Sequence, residues 1–76
     1  MKLPVVKARK VMSALEKGGF FIDHQTGSHV TLLNNKTNRR ATIPLHSKDL
    51  KKGTLKNILK QAGINTQEFV NLLKKK

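Results

Sequence analysis

The spacing of the apolar residues changes twice along this chain, and those changes constrain its fold more than any other feature. Near both ends, apolar residues recur at intervals of three and four, which is the period of one helix face. These residues are Ala8, Val11, Met12 and Leu15 in the first stretch and Leu55, Ile58, Leu59 and Ala62 in the second. The spacing predicts amphipathic helices over residues 6–17 and 53–62.

The stretch between these helices is rich in β-branched and aromatic residues and is broken by residues that favour turns. Gln25-Thr26-Gly27 and the polar run from Asn34 to Asn38 are the two interruptions, and Pro44 removes a backbone donor at the end of the stretch. We predict three antiparallel strands, at residues 20–24, 29–33 and 39–43.

Glycines stand directly after both predicted helices, where a positive φ angle favours helix termination. These are Gly18-Gly19 and Gly63. Asn65, followed three residues later by Glu68, is typical of a capping box and predicts a short third helix. Its apolar residues are Phe69, Leu72 and Leu73.

The 76 residues contain no cysteine, internal repeat or linker, so we expect a single domain over residues 1–76. The order helix, three strands, helix predicts an α+β fold in which the helices cover one face of a small sheet. A domain of this size is marginally stable alone, and a binding partner is expected to stabilise it. The lack of cysteine excludes a disulfide scaffold and a cysteine nucleophile.

The formal net charge is +12, which makes an anionic partner the first to consider. Lys52, Lys56 and Lys60 form a row beside the apolar stripe of the second helix, where their repulsion is unfavourable unless an anion binds. The alternative is a solvated face that keeps the protein soluble. No apolar run reaches the length of a signal peptide or membrane span, so we expect a cytoplasmic protein without a membrane partner.

A strand period of two divides the second and third strands into two faces. The apolar face, which should meet the helices, carries Val30, Leu32, Ala41 and Ile43. The opposite face carries His29, Thr31, Arg40 and Thr42. We predict that His29 lies beside Arg40 there, an arrangement typical of a surface that handles phosphate. Taken singly, Arg40 and the threonines are more often ordinary solvent-facing residues.

His29 is the candidate reactive group, because histidine can both take and give a proton near neutral pH. The four carboxylates are scattered along the chain and the three histidines fit no short metal motif, so we predict no metal site and no cofactor. A phosphate-binding glycine loop and a serine nucleophile elbow are also absent from the sequence. RNA supplies its own nucleophile, the 2′-hydroxyl, so a histidine and a cation suffice to cleave it.

Three segments together resemble the HicA toxins of bacterial toxin-antitoxin pairs. They are Gly27-Ser28-His29, Ile43-Pro44-Leu45-His46, and residues 50–63 with the sequence LKKGTLKNILKQAG. The resemblance implies a fold like the double-stranded RNA-binding domain, endoribonuclease activity on mRNA, and His29 as the catalytic residue. It also implies a HicB-type antitoxin that covers this histidine. Val30 departs from the family, whose members often have histidine or an aromatic residue there, so His29 is the one candidate in the motif.

We therefore expect a metal-independent toxin that cleaves single-stranded mRNA. The residues expected to bind RNA or its phosphates are Ser28, Arg40, His46, Lys48, Lys52, Lys56 and Lys60. One alternative is a non-catalytic RNA-binding module of the same fold, which would explain the charge without a role for His29. Another is an interaction protein whose positive surface binds an acidic partner.

Overall fold

The computed structural model describes residues 6–45 and 50–75. The elements in chain order are α1 (Ala8–Lys17), β1 (Phe21–Thr26), β2 (His29–Asn34), β3 (Arg39–Pro44), α2 (Lys52–Ala62) and α3 (Thr66–Lys74). This order confirms the predicted helix, three strands, helix and short last helix. The small α+β fold is consistent with the arrangement of a double-stranded RNA-binding domain.

The strands form one antiparallel sheet in the order β1-β2-β3, and the helices pack on one of its faces. We call this helix-covered face, with Val30, Leu32, Ala41 and Ile43, the inner face. All four residues are buried, as the strand period predicts. The apolar stripes of α1 and α2 complete the core, and Phe69 of α3 closes it.

The hairpin between β1 and β2 is tighter than the sequence suggests. Gln25 and Thr26, predicted as part of a connector, belong to β1, and only Gly27 and Ser28 form the loop. Gly27 has a φ of +58°, which glycine adopts without strain at the start of such a short connection. Phe20, predicted as the first strand residue, precedes β1 and is buried in the core.

The other predicted turns and caps are present. The Asn34 side-chain oxygen accepts hydrogen bonds from the backbone N–H groups of Lys36, at 2.9 Å, and Thr37, at 3.4 Å, which turns the chain from β2 towards β3. Asn65 and Glu68 form the reciprocal capping box at the start of α3. Helix α2 is also tied to β3, because the Thr42 N–H donates to Gln61 Oε1 at 3.2 Å.

Strand β1 lies outside the layer that the helices cover. All six of its residues are exposed, including the large side chains of Phe21 and Ile22. Its pairing with β2 shifts register between Ile22 and His24, where Asp23 forms a β-bulge. Within the described part of the chain, no helix is long and apolar enough to cross a membrane.

Candidate catalytic face of the sheet

The sheet face opposite the helices, which we call the outer face, consists of three rows of side chains that run across the strands. The pairing register gives their members directly. From one end of the sheet to the other, the rows are Thr26–His29–Pro44, His24–Thr31–Thr42 and Phe21–Leu33–Arg40. Residues directly opposite each other in antiparallel strands share a face, so each row is a set of neighbours.

His29 is the first residue of β2 and occupies the row at the hairpin end of the sheet. Its position follows from the two-residue loop of Gly27 and Ser28, and its side chain is exposed. The Leu45 N–H donates to the Ser28 carbonyl at 2.6 Å, which fastens this loop to the chain beyond β3. The structure thus presents His29 on an open face, as predicted, and half-buried Ser28 next to it.

Arg40 shares the outer face with His29, but the prediction that the two lie side by side is wrong. Arg40 pairs with Leu33, whereas His29 pairs with Pro44, four residues farther along β3. At about 3.4 Å per residue, the two backbone positions are roughly 14 Å apart along the strand direction. Alternation in the sequence assigns residues to a face, whereas their separation along the strands depends on the pairing register.

The middle row is more closed than the sequence suggests. Thr31 is only 7% exposed although it points away from the helices. Its Oγ1 lies 3.3 Å from Oγ1 of Thr42, which is half-buried, so the two hydroxyls are partners of one another. The two threonines therefore occupy the β2 and β3 positions at the centre of the outer face.

The lysine row of α2 lies on the other side of the sheet from His29. Lys52, Lys56 and Lys60 are exposed, and α2 packs over the inner face. The structure therefore does not bring the lysines and the histidine onto one surface. The other two predicted phosphate-binding residues, His46 and Lys48, lie outside the described residues.

The outer face also carries His24, to which the sequence assigned no role. It stands in the middle row, directly opposite Thr31 and diagonal to His29. The local sequence gives no signal for this placement, since simple alternation from Phe21 puts His24 on the inner face. The bulge at Asp23 reverses its direction.

Among the described residues, acidic groups that could hold a metal are not gathered at this face. Glu16 and Glu68 belong to α1 and α3, and Asp23 lies beside His24. Among residues 6–45 and 50–75, no three histidine or carboxylate side chains form a metal-binding group.

A cleft of about 320 Å³ opens between the C-terminal ends of α1 and α2 and the side of α3. Phe20, Asn34 and Leu72 are among the residues that line it. Asn34 is the last residue of β2 and His29 is the first, so this cleft lies at the opposite end of the strand from His29. It is separate from the outer face.

Comparison with protein families decides the classification. Residues 8–64 match the model of the HicA toxin of bacterial toxin-antitoxin pairs, a segment of about three-quarters of the chain. The chain belongs to the HicA toxin family. This confirms the resemblance found in the sequence and makes the protein a toxin of the HicA type, for which the family implies an antitoxin partner. A search of curated proteins found no match.

The region shared with HicA toxins extends from the first residue of α1 to Ile64, just after α2. It includes all three strands and therefore the whole outer face with His29. Helix α3 lies beyond it, although Phe69 of that helix is buried in the core. The candidate site thus falls within the part of the chain that defines the family.

Proposed function

We propose that this HicA toxin is a metal-independent endoribonuclease that cleaves single-stranded mRNA, with His29 as the residue that transfers protons. The position of His29 carries the proposal. It is an exposed histidine at the end of an open sheet face, in a chain of the HicA family. A flexible RNA strand can reach a histidine on such a face without entering a deep pocket.

The chemistry needs little from the protein, because RNA carries its own nucleophile. The 2′-hydroxyl attacks the adjacent phosphorus, and positioned groups must remove its proton and protonate the departing 5′ oxygen. Histidine performs such transfers near neutral pH. Arg40, at the other end of the outer face, is suited to hold a second phosphate farther along the same RNA molecule.

The antitoxin is proposed to be a HicB-type protein that covers the outer face and so blocks access to His29. The net charge of +12 favours an antitoxin with an acidic binding surface, since opposite charges speed encounter and select the partner. The small size of the domain supports this as well, because binding to the native state raises its stability.

Expression in cells tests the proposal most directly. Induction of the wild-type protein should arrest growth and fragment mRNA, whereas the His29→Ala variant should do neither. Lys36→Ala is the matched control, because Lys36 is an exposed residue of the β2–β3 turn, far from the hairpin end. Co-expression of the antitoxin should protect mRNA from the wild-type protein. Intact mRNA at full wild-type expression would refute the nuclease function.

The proposal that cleavage needs no metal ion is tested with purified protein. We expect cleavage of single-stranded RNA to continue in EDTA, because the carboxylates in the described residues lie on different elements rather than in one cluster. A catalytically dead variant prepared in parallel, His29→Ala, controls for contaminating nuclease. Activity lost in EDTA and restored by magnesium would contradict this mechanism.

A second candidate, a non-catalytic RNA-binding module, is favoured by one observation. The lysine row of α2 is exposed on the side of the molecule away from His29, so it offers a cationic surface that needs no catalytic group. On this hypothesis wild type and His29→Ala bind RNA equally well and neither cleaves it. The purified proteins distinguish the two candidates.

A further inference from the structure

The β-bulge in β1 changes which side chains share the outer face. At the start of β1, before the bulge, Phe21 pairs with Leu33 of β2 and Ile22 pairs with Leu32. Continued without interruption, that register would place His24 opposite Val30, on the inner face. After the bulge, His24 instead faces Thr31 on the outer face. Bulges often re-aim a side chain in this way next to active sites.

The bulged residue itself holds the ring of His24. Asp23 Oδ2 lies 2.9 Å from His24 Nδ1. An ionised carboxylate can only accept a hydrogen bond, so Nδ1 carries the hydrogen, and in the neutral ring Nε2 is left with a lone pair. The side chain of His24 is 55% exposed and that of Asp23 is 33% exposed. Nε2 of an oriented ring is thus available to a ligand on the outer face.

His24 and His29 are close enough to act on one phosphate. His29 faces Thr26, two residues after His24, so the two histidines are diagonal neighbours. Such positions lie about 7–8 Å apart. With hydrogen bonds of about 2.6–3.2 Å on either side, two rings at this spacing can reach the attacking and leaving oxygens of the same linkage. Thr31 is directly opposite His24 and two residues from His29 on β2, and its hydroxyl is engaged with Thr42.

We propose that His24 is the general base of the cleavage reaction and that His29 is the general acid. This assignment rests on the nuclease function proposed above. His24 Nε2 removes the 2′-hydroxyl proton as O2′ forms a bond to phosphorus, and the bond from phosphorus to O5′ breaks as protonated His29 gives its proton to O5′. The products are a 2′,3′-cyclic phosphate and a 5′-hydroxyl, and no water is consumed. Asp23 is a positioning residue that orients the His24 ring.

A substrate with an altered leaving group tests the two roles separately. The probe is an RNA oligonucleotide whose cleaved bond has been mapped with wild type, and its partner carries sulfur in place of the bridging 5′ oxygen at that bond. A thiolate leaves without protonation, so the sulfur substrate needs a base but no acid. Single-turnover rates at saturating protein remove differences in binding.

We expect His24→Gln to cleave both substrates 10²–10⁴-fold more slowly than wild type, because each requires the base. His29→Gln should cleave the oxygen substrate more slowly than wild type by a similar factor, but its rate on the sulfur substrate should be close to that of wild type. Asp23→Asn should slow both substrates in parallel, with affinity for RNA unchanged. Lys36→Ala is the control, since Lys36 is exposed in the β2–β3 turn, at the end of the sheet away from both histidines.

Each other outcome overturns a defined part of the proposal. If His24→Gln cleaves both substrates at the wild-type rate while His29→Gln is inactive, His24 has no chemical role and the nuclease function stands. If sulfur rescues His24→Gln and not His29→Gln, the two roles are reversed and the base assignment is wrong. If wild type cleaves no RNA when the cleaved bond is being mapped, the nuclease function itself fails.

Discussion

The inner and outer faces of the sheet are built from alternate residues of the same strands, but the inner face is buried in the core and the outer face is exposed to solvent. On the inner face, four apolar side chains of β2 and β3 are buried beneath α1 and α2. On the outer face, the same strands present His29 and Arg40 to solvent. Neighbours in sequence thus belong to different surfaces: Val30 follows His29, and Ala41 follows Arg40.

Because the two faces are separate, substitutions can alter the stability of the fold and the proposed RNA cleavage independently. In a domain of 76 residues, the total stability is about 4–11 kcal/mol, so the inner face leaves little margin for loss. The outer face contributes few apolar contacts to the core, and its residues can change at small cost. Substitutions on either side of one strand therefore test the comparison directly.

The largest effect is expected at His29. We predict that His29→Gln lowers the rate of RNA cleavage 10²–10⁴-fold, because the amide keeps hydrogen-bonding capacity but cannot transfer protons. The free energy of unfolding should change by no more than about 0.5 kcal/mol, as for other exposed positions. Cleavage assays and urea unfolding of the same preparation measure both. A variant that unfolds far more readily and loses RNA binding as well would mark His29 as a structural residue.

Leu32 and Leu33 provide the sharpest comparison of the two faces, because they are the same residue type at adjacent positions. Leu32 is fully buried on the inner face, and Leu33 is half-buried on the outer face. We expect Leu32→Ala to lower the free energy of unfolding by about 2–5 kcal/mol through loss of burial and creation of a cavity. Leu33→Ala should cost roughly 1 kcal/mol. Equal losses in urea unfolding would show that the faces are not energetically distinct.

The same contrast explains how much of the structure could be predicted from sequence. The helices, the number of strands and the inner face follow from periodicity, because a period of two or 3.6 assigns each residue to a side. Two features of the site depend instead on pairing between strands. These are the distance from His29 to Arg40 and the position of His24 after the bulge. Neither is encoded in the residues next to the histidines.

The burial of Thr31 has a similar origin. Its sequence environment is that of a polar residue on the open side of a strand, whereas in the structure it lies on the central strand, paired on both sides, with its hydroxyl against that of Thr42. The roles of Ser28 and the lysines could be proposed from charge and from family resemblance, and helical spacing predicts the lysine row, but not its place on the opposite side of the sheet from His29. The period of an element shows which of its residues are exposed, but it does not show which exposed residues of different elements lie near each other.

Arg40 tests whether RNA follows the outer face away from the hairpin end. We expect Arg40→Ala to weaken binding of single-stranded RNA roughly tenfold, which corresponds to one charge-assisted hydrogen bond to phosphate. The slope of log affinity against log salt should become shallower by about 0.7, as one fewer counterion-releasing contact remains. Fluorescence anisotropy at several salt concentrations measures both quantities. Lys36→Ala is the control for a generic loss of charge, and an identical change in that variant would contradict a specific contact at Arg40.

The smallest effects are expected from the lysine row, because it lies on the far side of the sheet from His29. We predict that Lys56→Glu combined with Lys60→Glu weakens binding of long single-stranded RNA or of the antitoxin, while urea unfolding is nearly unchanged at these exposed positions. An RNA short enough to contact the outer face alone should bind the double variant as it binds wild type. A strand long enough to reach both surfaces gains a second set of phosphate contacts, so its affinity alone should fall. If the affinities for long RNA and for the antitoxin are both unchanged, the row is a solvated surface, and the outer face by itself accounts for binding.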